Sequence, residues 1–185
     1  MYESEVMKRL FKLKSERTGK TLPFEPLLGQ EILFDNLFNR LHNPRDVRVE
    51  RDRQAGFTWG ISAFLAYRMI FGYGENYAVV ARTNHYASKI QDNVDFILCN
   101  LPFTCRPTRS DLRIYNNESC VNIYFKNSQS DTCKGNRLTM MFFDDFDCLP
   151  VQDQDTCMRM SRDVTKTRVF GVAKETQPDW DIVYM

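Results

Sequence analysis

The stretch VRVERDRQAGFT, residues 47–58, joins a short strand with two valines to an apolar helix through a loop. Residues 51–58 partly match the phosphate-binding pattern G-x-x-x-x-G-K-[ST], in which backbone N–H groups and a helix N-terminus hold phosphate oxygens. Gly56 stands at the second glycine, and Thr58 stands at the hydroxyl position that ligates Mg²⁺. The segment therefore predicts a nucleotide-phosphate site where the strand meets the helix.

The pattern is known as Walker A, and two residues of this chain depart from it. Arg51 replaces the first glycine, and Phe57 replaces the lysine. Arg53, near the start of the loop, offers a guanidinium that could reach the β- and γ-phosphates with two parallel N–H groups. Read by itself, the segment is also compatible with an ordinary strand–turn–helix junction, so the phosphate-loop interpretation needs a second motif.

The second motif is the apolar run Leu138–Phe143, which ends in Asp144 and Asp145 as a Walker B motif does. Open α/β sheets bind ligands outside the carboxyl ends of their parallel strands. We expect Asp144 to hold Mg²⁺ through water and Asp145 to orient or deprotonate an attacking water. An acidic turn after a strand is the alternative, but two motifs in this order indicate a nucleotide site more strongly than either alone.

Strand and helix patterns alternate along the rest of the chain. Apolar runs typical of strands occur at 47–50, 77–81, 112–115, 121–125, 138–143 and 168–173, and helical patterns at 32–41, 59–71 and 87–98. The polar turn between the third and fourth of these strands predicts a β-hairpin. The alternation predicts an α/β fold with a mainly parallel central sheet flanked by helices.

Composition excludes several classes of protein. The 185 residues suit one domain, and 43% hydrophobic with 26% charged residues is typical of a globular protein. No apolar run approaches the roughly 20 residues that a membrane span needs. We expect residues 1–20 to form a charged helical arm and residues 21–185 to form the domain. The net charge of +1 means that any nucleic-acid contact must come from local basic groups.

The cysteines and histidines do not form a metal motif. The six cysteines include no C-x-x-C pair, and the two histidines lie far apart in the sequence. Structural zinc sites need closer ligand pairs. We therefore expect reduced, structural cysteines, as in a cytoplasmic protein.

The segment RQAGFT, residues 53–58, resembles the variant phosphate loop R-Q-x-G-x-[ST] of large terminases, the motors that package viral DNA. Members of that family without the lysine use the early arginine, which implies this role for Arg53. Upstream, LPFEPLLGQ at 22–30 is similar to the family's proline-containing segment, so Gln30 matches its adenine-contacting glutamine. The resemblance covers roughly residues 20 to 175.

Two further segments carry the resemblance. The polar stretch at 127–136 leads into the acidic motif as it does in the family, although Asp144-Asp145 replaces the usual Asp-Glu. The shorter second acid displaces its carboxylate by about one methylene. Residues 171–173 loosely resemble the coupling motif that follows the next strand.

The resemblance implies a P-loop NTPase of the additional-strand class, with ATP and Mg²⁺ as cofactors. The metal ligands would be Thr58 and Asp144, and the catalytic residues would be Arg53 and Asp145. The nucleotide-binding set would be Gln30, Arg53, Gln54, Ala55, Gly56, Phe57 and Thr58. A ring ATPase also needs an arginine that reaches a neighbour's γ-phosphate. Arg106 or Arg109 could serve, although their place in a loop favours simple solvation.

The implied activity is ATP hydrolysis that translocates double-stranded DNA into a capsid. The implied partners are double-stranded DNA, a homo-oligomeric ring, the portal and the small terminase subunit, all in the host cytoplasm and without a membrane. A nuclease subunit that acts in trans is left open. Large terminases usually continue into a nuclease domain, which we do not expect within these residues. Two alternatives stay open: a degenerate P-loop domain that binds nucleotide or partners without hydrolysis, and a helicase-like ATPase.

Overall fold

The computed structural model describes residues 2–15, 18–52, 56–128, 137–174 and 180–184. The helices are α1 (Tyr2–Leu10), α2 (Leu28–His42), α3 (Phe57–Phe71), α4 (Asn84–Cys99) and α5 (Val151–Arg162). The strands are β1 (Lys12–Lys14), β2 (Thr21–Pro23), β3 (Val47–Arg51), β4 (Asn76–Ala81), β5 (Thr108–Ser110), β6 (Arg113–Asn116), β7 (Val121–Asn127), β8 (Met140–Phe143), β9 (Arg168–Ala173) and β10 (Asp181–Tyr184).

Within these residues the main sheet has eight strands in the order β10-β3-β9-β8-β4-β7-β6-β5. The five strands from β3 to β7 in this order pair in parallel, and β10, β6 and β5 add antiparallel pairs at the two ends. The predicted α/β fold with a mainly parallel sheet is thus confirmed, as is the β6–β7 hairpin. The carboxyl ends of β3 and β8 lie one strand apart, on either side of β9.

The central strands are covered on both faces, which explains their unbroken apolar runs. In β4, Tyr77 and Val79 pack into the core beneath α1–α4, whereas Ala78 and Val80 pack into a smaller core that includes Cys157 of α5. Because successive strand residues point to opposite faces, one continuous apolar strand supplies both cores.

The predicted helical arm over residues 1–20 is wrong beyond Leu10. Lys12–Lys14 forms β1, which pairs antiparallel with β2 over Thr21–Pro23. Helix α1 ends at Leu10. Met7 and Phe11 lie fully inside the main core, and Leu13 packs against this core from the extended strand β1. The domain boundary predicted at residue 21 stays a prediction.

Other boundaries also differ from the sequence expectations. The predicted loop over 21–30 contains β2 and the first turn of α2, which begins at Leu28. The elements β5, β10 and α5 had no predicted counterpart. Of α5 only Cys157 and Ser161 are buried, so a clear apolar stripe is missing from its sequence. No helix among the described residues combines the length and the apolar character that crossing a membrane requires.

Candidate nucleotide site

Gly56 forms the entry to α3 in a backbone conformation that favours glycine. Its φ of 79° lies in the left-handed region, where a side chain adds strain. A Cβ atom built here would lie 2.8 Å from Gln30 Nε2. The backbone therefore turns tightly into the helix, and the N-terminus of a helix offers unpaired N–H groups that can bind an anion.

Thr58 and Asp144 meet at the carboxyl edge of the sheet. Thr58 Oγ1, in the first turn of α3, donates a hydrogen bond to Asp144 Oδ2 at 3.0 Å. The Asp144 N–H donates to the Val80 carbonyl at 3.0 Å, which holds the residue at the end of β8. A threonine hydroxyl and a carboxylate are among the oxygen donors that Mg²⁺ prefers, and the ion usually keeps several waters. Thr58 would therefore hold Mg²⁺ through its hydroxyl, and Asp144 would hold it through water.

Asp145 lies beside this pair in an unusual backbone conformation. Its φ of 49° is left-handed, which is uncommon outside glycine but tolerated by aspartate and asparagine. Its side chain is 46% exposed, and its Oδ1 accepts a hydrogen bond from Arg51. The carboxylate therefore reaches open solvent next to the candidate metal ligands.

Arg51 is the residue that the sequence interpretation missed. Its side chain is only 2% exposed, and its Nη2 donates to Asp145 Oδ1 at 2.9 Å and to Asp144 Oδ1 at 3.4 Å. The guanidinium lies over the Phe57 ring at 4.7 Å from the centroid. In the phosphate-loop pattern, position 51 is described only as the first glycine. The signal that could have revealed it is a cation at one strand end facing two acids at another.

Phe57, at the lysine position, points into the core. It is 1% exposed, and its ring lies 6.2 Å from that of Trp180. A Cβ atom built on Gly171 would lie 2.4 Å from the Phe57 ring, so the glycine in β9 makes room for the phenyl group. The contribution that Phe57 can make to a phosphate is consequently its backbone N–H.

Gln30 lies against the end of the phosphate loop. Its Nε2 donates to the Gly56 carbonyl at 2.7 Å, and its Oε1 accepts from the Leu27 N–H at 2.9 Å. With 4% of its surface exposed, the side chain links α2 to the loop. Contact between Gln30 and adenine stays a prediction.

Several predicted site residues lie outside the described part of the chain. They are Arg53, Gln54 and Ala55, and their assigned roles stay predictions. Of the two candidate trans arginines, Arg109 donates to Asp92 at 2.5 Å and to Asp95 at 2.9 Å on an exposed surface. Arg106 is exposed.

The residues that resemble the coupling motif lie at the end of β9 and connect to both halves of the site. The Ala173 N–H donates to Asp147 Oδ1 at 3.2 Å, and the Lys174 N–H donates to the Arg51 carbonyl at 2.9 Å. In the described residues no group of three or more His, Cys, Asp or Glu could hold a metal. A metal bound by Thr58 and Asp144 would thus complete its shell with water and phosphate, as Mg²⁺ commonly does.

Burial raises the pKa of Asp144 to about 6, and the charge of Asp145 adds to this effect. Arg51 and Thr58 act in the opposite direction but do not cancel it. The pKa of this carboxyl in the folded protein is therefore above the ordinary value of 3.8, so the stability contributed by this group is complete below about pH 4. It is lost as the pH rises through about 6.

We expect Asp144→Asn to stabilise the nucleotide-free protein by about 3 kcal/mol at pH 8, because asparagine carries no charge to bury. At pH 4 the two proteins should be nearly equal in stability. Urea unfolding at both pH values measures the difference. Asp155→Asn, on the exposed side of α5, is the control. A stabilisation that does not grow with pH would contradict this explanation.

The known proteins to which this chain is similar are solved structures. No protein-family model matches the chain, and no curated protein does. The large terminase of bacteriophage HK97 matches with a TM-score of 0.69 and 12% identity, covering 96% of this chain and 38% of the terminase. The ATPase domain of the Thermus phage P74-26 large terminase gives a TM-score of 0.55 at 15% identity, covering 89% of this chain and 72% of that one.

A helicase shares the same core. UvsW from bacteriophage T4 matches with a TM-score of 0.57 and 14% identity, over 92% of this chain and 58% of the helicase. The chain spans well under half of the HK97 terminase. Sequence identities between 12% and 15% show that the fold is similar, and they show nothing about the activity. The chain has the P-loop NTPase fold that is found in the ATPase domains of large terminases, as its sequence motifs predicted.

Proposed function

We propose that this chain is the ATPase motor domain of a viral DNA-packaging terminase, which hydrolyses ATP to translocate double-stranded DNA. The observation that carries the proposal is the 3.0 Å contact between Thr58 and Asp144. It joins the helix after β3 to the end of β8, at the sheet edge where P-loop enzymes bind Mg²⁺ and nucleotide. The similarity to large terminase structures supports the choice among P-loop enzymes.

In this proposal each residue has a defined task. The backbone N–H groups at Gly56 and at the start of α3 bind phosphate oxygens. Thr58 and Asp144 hold Mg²⁺, which supplies neutralisation of phosphate charge. Asp145 orients the attacking water and accepts its proton. Arg53 approaches the β- and γ-phosphates, so catalysis consists mainly of positioning and charge stabilisation.

The wider assignment follows the proposed family. The chain would act in a homo-oligomeric ring around duplex DNA, with the portal and the small terminase subunit as partners and a nuclease subunit in trans, in the host cytoplasm. Contacts with DNA would be made to phosphates and without sequence preference, so salt should weaken them.

Phosphate release from ATP, with and without duplex DNA, tests the proposal. Thr58→Val keeps the shape of the side chain but removes the metal-binding oxygen, so we expect at least about a 100-fold loss of Mg²⁺-dependent hydrolysis. Thr108→Val, on the exposed strand β5, is the matched control and should hydrolyse ATP like the unaltered protein. Equal rates for all three proteins would refute the assignment.

The buried phenyl group of Phe57 favours a second candidate, a P-loop domain that binds nucleotide without hydrolysing it. Equilibrium binding of a fluorescent ATP analogue together with phosphate release separates the two functions. Tight binding with no phosphate release in the presence of Mg²⁺ and DNA would support the second candidate. The likeness to UvsW adds a helicase function as a third, which unwinding of a forked duplex would reveal.

A further inference from the structure

Arg51 is a buried charge that belongs to the acidic half of the site. A guanidinium with 2% exposure is costly to bury unless anions and hydrogen-bond acceptors surround it. Its acceptors are Asp145 Oδ1, Asp144 Oδ1 and, at 3.4 Å, the Asp52 carbonyl. Its Nε has no partner within the described residues. One cation thus compensates two carboxylates, and its hydrogen-bonding capacity is not fully used by the part of the chain that the structure describes.

The two departures from the phosphate-loop pattern form one physical unit. The guanidinium of Arg51, at the first-glycine position, lies 4.7 Å from the ring centroid of Phe57, at the lysine position. A planar guanidinium stacks favourably on an aromatic face, which an ammonium on a flexible stem does less well. The phenyl group at the lysine position therefore provides a surface that holds the arginine from the end of β3.

The position of Arg51 makes it a competitor for the proposed metal site. Asp144 offers Oδ2 to Thr58 and Oδ1 to Arg51, so each oxygen of this carboxylate has a hydrogen-bond donor. Arg51 Nη2 bonds to Asp145, whose side chain is 46% exposed, so this nitrogen lies at the edge of the candidate site that faces solvent. A bound triphosphate would present acceptor oxygens at this edge.

Resting on the proposed function, we propose that Arg51 is a phosphate-binding residue of this site and exchanges partners. Without nucleotide, Arg51 compensates Asp144 and Asp145 and keeps the two carboxylates together. With nucleotide, Arg51 directs Nη2 to the terminal phosphate, which leaves Asp144 to the metal and Asp145 to water. The carboxylates and the phosphate thus compete for one guanidinium.

Nucleotide affinity in the absence of metal tests this exchange. In EDTA, with a fluorescent ATP analogue, Arg51→Met should weaken binding about 10- to 100-fold, the value of a lost charge-assisted hydrogen bond. Asp145→Asn should tighten binding several-fold, because Arg51 is released to the phosphate. The decisive observation is the double variant: the gain from Asp145→Asn should disappear when it is combined with Arg51→Met.

Asp147→Asn is the matched control, because Asp147 lies two residues away and accepts from the Ala173 N–H rather than from Arg51. It should not change metal-free affinity beyond the weak effect of one surface charge. If Arg51→Met fails to fold by circular dichroism, Arg51→Lys replaces it in the cycle. Lysine keeps the charge but cannot contact two carboxylates and the Phe57 ring together. The gain in metal-free nucleotide affinity from Asp145→Asn should therefore be smaller in the Arg51→Lys background.

The outcomes separate this inference from the proposed function. If the unaltered protein binds no nucleotide even with Mg²⁺, the proposed function fails. If it binds nucleotide but the Asp145→Asn gain is equal with and without Arg51→Met, only the exchange is overturned. A loss of thermal stability in Arg51→Met with unchanged nucleotide affinity also overturns it, because that result identifies a purely structural arginine.

Discussion

Asp145→Asn should lower the rate of ATP hydrolysis by about 1,000-fold, within the range found for general acid–base groups. Asparagine has nearly the same volume, and it tolerates the left-handed backbone that position 145 adopts, with φ of 49°. It cannot accept a proton from the attacking water. The substitution therefore removes the chemistry of the side chain with little change in the fold.

Single-turnover phosphate release at saturating ATP and Mg²⁺ measures this effect separately from binding. Asp147→Asn is again the control, since its carboxylate lies on the neighbouring turn and accepts from the Ala173 N–H. Its rate should stay within about twofold of the unaltered protein. An Asp145→Asn variant that retains more than about a tenth of the rate would assign the water to another residue.

Phe57→Lys restores the common phosphate-loop lysine, yet we expect it to destabilise the protein by more than about 3 kcal/mol and to give no gain in hydrolysis. The phenyl ring is 1% exposed, so lysine would bury an ammonium without an anionic partner. The ring also fills space against Gly171 and supports the guanidinium of Arg51. Replacing it leaves a gap and places two cations together.

The comparison for this prediction is Phe71→Lys, at the other end of the same helix α3. Phe71 is 49% exposed, so lysine there can reach water, and we expect a change below about 1 kcal/mol. Urea unfolding gives the stabilities, and phosphate release gives the rates. Faster hydrolysis by Phe57→Lys would show that position 57 can still direct a cation toward the phosphates.

The elements that sequence alone predicted well are those with strong local patterns. The strands β4 and β8 are continuous apolar runs because both faces are covered, and α3 is apolar for the same reason. The elements that it missed depend on distant partners. β10 pairs with β3 at the sheet edge, and α5 buries only two residues, so neither has a pattern of its own.

The residues of the site also fall into those that local sequence motifs predict and those that depend on distant partners. Thr58 and Asp144 follow from motif spacing, because a strand–loop–helix and a strand end carry their own sequence signals. Arg51 does not, because its partners lie 93 and 94 residues away and only the β3-β9-β8 strand order brings them together. Asp147 and Ala173, which connect the site to β9, depend on the same strand order.

The links at the end of β9 constrain how the site can change shape. Ala173 is tied to the segment after β8 through Asp147, and Lys174 is tied to the end of β3 through the Arg51 carbonyl. The spacing between those two segments cannot widen unless one link breaks or the backbone at 173–174 is displaced. Opening and closing around a ligand would consequently be converted into displacement of the backbone at Ala173 and Lys174.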